Sequence, residues 1–341
     1  MITRTTSWVV TGLLCQCRPR PFSISYRRLA EQPPPPPKSA PTPAPAPASI
    51  LDAAKPAAAE SPLAHAPRSY GKKFENFTPT PLSRPIGLHH PPEAGENTGV
   101  DNRSLQQRRD DFVNYEKHLK RREELKSKMA RPYFRDWRNM QFHKGKTFLA
   151  PPRLFKADLS LYFPNLHGRT LSRTNADTTP LLVGRASVVT IFSSMWAERQ
   201  AASFVSKDAN PGLHEALDSS GGRAQLVQVN VEEDPLKAFL VRMFSGSLKR
   251  RVGKENWERY FLVRKGITDE IREAIGVLNS KVGYTYLVDH NCRIRWAGSG
   301  DADPGEREAL VKGVQRILEE MEKEKVSESF VPKTVAKKAI Q

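Results

Sequence analysis

Cysteine is nearly absent: the 341 residues hold three, Cys15, Cys17 and Cys292. Two of these fall in an N-terminal stretch with the features of a removed leader, so the mature chain has no disulfide framework. Long apolar runs are missing too. No stretch approaches the roughly 18–20 consecutive apolar residues that cross a bilayer, so any membrane association is expected to be peripheral or through a partner. The eight histidines are scattered, with no His-Glu-x-x-His or Cys-x-x-Cys spacing to hold a metal. Gly298-Ser299-Gly300 lacks the Lys-Ser/Thr of a phosphate loop and reads as a turn leaving a strand. Ser193 and Ser194 have no His/Asp partner placed to activate them. No catalytic, cofactor or metal residue is assigned.

Basic charge is abundant, with a formal net charge of +17, but it is unevenly spread. Residues 1–30 carry five arginines and no acid, with Trp8, Val9, Leu13 and Leu14 able to line one side of a short helix. That pattern marks a mitochondrial presequence, and Arg20-Pro21-Phe22-Ser23 resembles a processing site. Residues 31–100 hold the proline run Pro33–Pro37 and a Pro/Ala alternation, which supports neither a ladder nor a helix. A disordered linker is expected there. Residues 103–146 carry fourteen basic and six acidic side chains. The main domain that follows is only mildly basic, so a nucleic-acid partner is not expected.

The segment 101–149 is expected to be a charged helix, capped by Asn102 and running to Met129, followed by a basic and aromatic connector. The helix is either solvated along i,i+4 charge pairs such as Glu116–Lys120, or a basic surface for anionic lipid or an acidic partner. The aromatic residues of the connector, Trp137 among them, either dock the helix or face a partner.

The main domain is placed at 150–325, with a disordered tail at 326–341. Residues 161–171 suggest an opening hairpin with Gly168 in its turn. Val188–Phe192 reads as a strand buried on both faces that runs into a helix start. Ala224–Val231 is a second core strand, and Pro235 opens a helix. Trp257–Val263 is a strand, and Thr268 caps a helix over 269–278. Gly283–Val288 and Arg293–Ala297 form a hairpin around the turn residues Asp289–Cys292. From Pro304, Leu310, Val314, Ile317, Leu318 and Met321 make an amphipathic stripe. This order predicts an α/β, thioredoxin-like (peroxiredoxin-like) domain without its Cys-x-x-Cys pair: Ala197 and Gln200 stand where the sulfurs would sit. Arg293 and Arg295 alternate with Ile294 and Trp296, predicting one basic strand face. Trp196, Arg264, Tyr284, Tyr286, Arg293, Arg295 and Trp296 are the candidate partner-binding residues.

Long literal stretches, Tyr260–Glu273, Leu278–Asp289, Cys292–Gly300 and Lys146–Phe155, together with Ser194–Ala197, resemble the fungal mitochondrial ATPase complex subunit 10 family over roughly residues 130–320. The resemblance implies a non-enzymatic assembly factor on the matrix side of the mitochondrial inner membrane. It would bind newly made subunit a (subunit 6) of the ATP synthase Fo sector and promote its association with the c-ring. The family supplies no catalytic residue to carry over. A degenerate thioredoxin- or peroxiredoxin-like oxidoreductase using Cys292 is the alternative reading.

Overall fold

The computed structural model describes residues 62–69, 73–101, 103–129, 132, 134–232, 243 and 245–330. The presequence, the proline run, the proposed Asn102 cap and the helix opened by Pro235 lie outside the described residues.

Among the described residues, seven strands form one sheet in the order β2-β1-β5-β4-β3-β6-β7. They are β1 (His167–Thr170), β2 (Asn175–Asp177), β3 (Ala186–Phe192), β4 (Ala224–Val231), β5 (Tyr260–Val263), β6 (Tyr284–Val288) and β7 (Ile294–Ser299). Strands β3, β4 and β5 are parallel, while β6 runs antiparallel to β3 and pairs with β7. Three parallel strands followed by an antiparallel hairpin make the expected thioredoxin-like core. The β-branched run of β3 suits its central place, since all seven of its residues are buried. Val189 and Ile191 enter one core cluster and Val188 the other, as the two-residue period of a strand demands.

Helices cover the sheet. They are α4 (Thr179–Leu182), α5 (Met195–Val205), α6 (Pro211–Ser219), α7 (Ser245–Val252), α8 (Asp269–Ala274) and α9 (Pro304–Phe330). The stripe on α9 is as expected: Leu310, Val314, Ile317 and Met321 pack with Phe204, Leu287 and Trp296. The N-terminus of α9 is tied down by a buried ion pair in which Lys146 Nζ donates to Glu306 Oε2 at 2.7 Å. Glu306 Oε1 accepts from the Ala150 backbone at 2.8 Å, so one carboxylate also anchors the segment entering the domain. Helix α9 continues to Phe330, past the boundary expected at 325. Helix α6 was not legible as a separate element; Asn210 caps it and Pro211 opens it.

Three expectations need correction. The linker does not reach residue 100: Leu63, Ala66, Leu82 and Ile86 are buried in the main core cluster, and the Leu82 N–H donates to the Leu149 carbonyl while the Leu149 N–H donates to the Thr80 carbonyl. Burial of Leu63, Leu82 and Ile86 contributes about 1.5–3 kcal/mol each, enough to hold a proline-interrupted segment in place. Gly168 lies within β1, where a Cβ would meet the Leu262 carbonyl oxygen at 2.9 Å; the turn falls beyond it. The charged segment forms two helices, α1 (Leu105–Val113) and α2 (Tyr115–Met129), broken at Asn114. Ser104 caps α1 in a capping box with Gln107.

Candidate functional site

The carboxyl ends of β3, β4 and β5 face the start of α5, the crevice where open α/β sheets place their ligands. Ser194 caps α5, its hydroxyl accepting from the Ala197 backbone at 3.1 Å. The first turn therefore projects Met195 and Trp196 outward, 71% and 42% exposed. Ala197 and Gln200, proposed from sequence as the vacated sulfur positions, are buried.

Gln200 does structural work. Its side-chain nitrogen donates to the Lys144 carbonyl at 2.9 Å, and its oxygen accepts from the Gly283 backbone at 3.1 Å. Gly283 passes so close to α5 that a Cβ there would lie 2.2 Å from the Ala197 carbonyl oxygen. Glycine is required at that crossing because both partners are backbone.

A short helix, α3 (Arg135–Asn139), closes the other side. Its Asp136 carboxylate accepts from the hydroxyls of Ser69 and Ser280, both at 2.6 Å, and the Asp136 carbonyl accepts from Asn279 at 3.0 Å. So moored, α3 leaves Trp137 54% exposed, with Lys281 Nζ 5.9 Å from its ring centroid. Between these walls is a cavity of about 540 Å³ lined by Trp137, Phe192, Met195, Leu248, Tyr260 and Lys281. A smaller one of about 190 Å³, lined by Ile191, Val231, Ile267, Ile275 and Val282, shares Phe192, Ser193, Glu232 and Lys281 with it. Glu198 pairs with Arg251 at the rim.

The cleft has shape and apolar surface, and its lining holds neither cysteine nor histidine. No cysteine stands between Ser193 and Gln200, and the Ser193 hydroxyl is bound to the Ser280 carbonyl. No histidine lines either cavity. Burial pushes the Tyr260 hydroxyl up to about 12, so it stays protonated at neutral pH. Among the described residues no cluster of His, Cys, Asp and Glu could hold a metal, and no helix is long and apolar enough to cross a membrane.

The sequence-predicted contacts divide. Trp196 and Arg264 are exposed at this end of the sheet, Arg264 directly following β5. Tyr284, Tyr286 and Trp296 are fully buried, with their polar atoms spent inside: the Tyr286 hydroxyl donates to the Ile275 carbonyl, and Trp296 Nε1 to that of Pro151. Arg295 is buried between Asp289 and Glu320. The expected basic face of β7 fails because the register shifts between Leu287/Trp296 and Val288/Ile294. This bulge sends Ile294 and Trp296 into different core clusters. Arg293 is half-buried over the Tyr162 ring, donating to the Ala157 carbonyl at 2.9 Å. Trp137 was read from the sequence as either docking the helix or facing a partner, while Met195 and Lys281 were not among the candidate contacts. The legible signal for Met195 was a large apolar residue just after a Ser cap, where the first helical turn points off the sheet.

Cys292 sits in the β6–β7 turn at positive φ, buried in the core. Because Val288 pairs with Ser187 at the start of β3, that turn lies at the opposite end of the sheet from the cleft. Burial, and then the Asp289 charge, push its thiol up to about 12. Such a thiol is neither a ready nucleophile nor placed at the cleft.

Solved structures with a similar arrangement include a putative thiol:disulfide interchange protein DsbE from Chlorobium tepidum, 16% identical with a TM-score of 0.33, covering 47% of this chain and 96% of that one. A Sco-family cytochrome c oxidase assembly protein, BsSco, is 10% identical with a TM-score of 0.32, over 47% and 95%. In sequence the chain is 31% identical to the mitochondrial ATPase complex subunit ATP10 of Eremothecium gossypii, over 69% of this chain and 85% of that protein. It is 30% identical to the protein of the same name from Saccharomyces cerevisiae, over 69% and 86%. The ATP10 protein family model matches residues 67–317, reaching back into the segment that the fold draws into its core. The chain belongs to the ATP10 protein family.

Proposed function

We propose that the protein is a non-enzymatic assembly factor for the Fo sector of mitochondrial ATP synthase. It works on the matrix side of the inner membrane, to which residues 1–30 deliver it. The observation that carries this reading is the cleft at the start of α5. It keeps the position of a thioredoxin-type reactive site, without a thiol, and lines it with exposed Trp137 and Met195, with Trp196 exposed next to Met195 in the first turn of α5. Exposed aromatic and thioether surface beside an apolar cavity suits holding an apolar segment, because it gains area burial without demanding one fixed geometry.

The client is newly made subunit a (subunit 6), held until it joins the c-ring. Trp196 and Arg264 are the contacts retained from the sequence reading, joined by Trp137 and Met195. Family membership supports the complex, and the chemistry of the cleft supports holding over catalysis. Loss of the protein should deplete assembled Fo while the soluble catalytic sector still forms. Normal Fo assembly in its absence overturns the proposal.

A further inference from the structure

Helices α1 and α2 carry an unspent apolar surface. No side chain of α1 is buried, and every α2 side chain that is described is exposed. Lys120 reaches the body in an exposed ion pair with Glu270 at 3.7 Å. Yet Leu105, Phe112 and Val113 on α1, and Tyr115, Leu119, Leu125 and Met129 on α2, are large apolar residues in water. So much exposed apolar surface on one helical pair calls for a partner.

The arrangement of charge identifies it. At 3.6 residues per turn, Phe112, Leu105 and Val113 fall within about 100° of arc on α1, and the charged residue among them is Arg109. On α2, Leu125, Met129, Tyr115 and Leu119 fall within about 120°, interleaved with His118, Arg122 and Lys126. The acids Asp110, Asp111, Glu116 and Glu123 all lie off these stripes. Asp111 is moreover held between Arg103, at 2.6 Å, and Lys117. An apolar stripe broken only by basic side chains is the composition of a helix lying in an anionic lipid interface. Its cations reach up to headgroups while their stems and the apolar residues enter the acyl boundary. A soluble acidic partner or RNA would use the cations but leave the stripe in water. Exposed Phe134 and Trp137 follow directly, and aromatic rings favour the same headgroup level.

We infer that α1–α2 is a membrane-docking element that lies in the headgroup region of an anionic bilayer and brings the α5 cleft to the membrane surface. The orientation of the cleft rests on the client-holding reading; lipid binding by the helices does not.

The test is vesicle flotation with the full chain, so that residues 1–30 contribute equally throughout. Vesicles of phosphatidylcholine alone are compared with vesicles containing about 30 mol% phosphatidylglycerol. One variant combines Arg109→Glu, Arg122→Glu and Lys126→Glu; another combines Phe112→Ser, Leu119→Ser and Leu125→Ser. All six positions are exposed, so both variants should keep the wild-type thermal midpoint. Wild-type protein should float with the anionic vesicles, and each variant should partition at least about tenfold less. Equal flotation of wild type and variants overturns the inference, as does equal binding to neutral vesicles. RNA or acidic-protein binding that the variants abolish, with no vesicle binding by the wild type, overturns it too. Because client capture through the cleft can be measured in detergent, a negative flotation result leaves the client-holding reading standing.

Discussion

Replacing Gly283 by alanine should be among the most damaging single-methyl changes in the chain. The new Cβ would sit 2.2 Å from the Ala197 carbonyl oxygen and 3.0 Å from the Ala201 nitrogen. Both are main-chain atoms of α5, so no side chain can swing aside; the helix or the start of β6 has to move. Forcing a methyl into a packed site costs about 1–3 kcal/mol. The movement also strains the bond from the Gly283 N–H to Gln200 Oε1, and an unsatisfied buried donor costs about 1–3 kcal/mol more. A total of roughly 2–6 kcal/mol follows, read as a lower urea midpoint at unchanged slope. Gly305→Ala is the control, since a Cβ there meets nothing within 4 Å. Gln200→Ala should reproduce about 1–3 kcal/mol of the loss without any overlap, because Lys144 O and Gly283 N both lose their partner. If Gly283→Ala unfolds within about 0.5 kcal/mol of wild type, the close crossing that shapes the cleft is wrong.

Lys146→Met should cost about 3–5 kcal/mol in the same urea assay, since it strands the Glu306 carboxylate in the interior; an unchanged midpoint would contradict a structural role for that pair. Arg295→Ala should cost a similar amount because Asp289 is left buried, whereas Trp196→Ala, at the exposed helix start, should leave stability unchanged and weaken client capture. The folded states of Cys292 and Tyr260 hold their protons up to about 12, above the ordinary 9.0 and 10.0. The unfolded chain releases those protons first, so stability is full below pH 9 and falls as pH rises towards 12; a flat alkaline profile would refute the burial of these groups. In native protein at pH 8 the Cys292 thiol should stay unmodified by an aromatic disulfide reagent and react on unfolding; rapid native labelling would revive the redox reading.

The parts of the fold legible in the sequence are those with a strong hydrophobic period. β3, β4 and the α9 stripe came out close to their observed bounds, because burial on one or both faces writes itself into consecutive or spaced residues. What failed were features set by tertiary contact. Leu63, Leu82 and Ile86 look like linker because the prolines between them give no period, yet each fills a place on the core. The basic face of β7 was inferred from strict alternation, and one bulge at Arg295 cancelled it. Tyr284, Tyr286 and Trp296 share their composition with interface anchors; only packing distinguishes a buried aromatic residue from a presented one. The location of the site at the β3–α5 junction was legible, and Met195 had a signal in its place after the Ser194 cap, but the placing of Trp137 against that site by a separate helix is set by tertiary contact alone.

The most direct test of the central claim, that the start of α5 holds a client without transforming it, is photocrosslinking from position 196 in intact mitochondria. A photoreactive amino acid replacing Trp196 should capture newly made subunit a, and one replacing buried Trp296 should capture no partner. Equal capture from both positions, no adduct from position 196, or disulfide reduction by the purified protein at the rate of a working thioredoxin-fold enzyme would contradict the account.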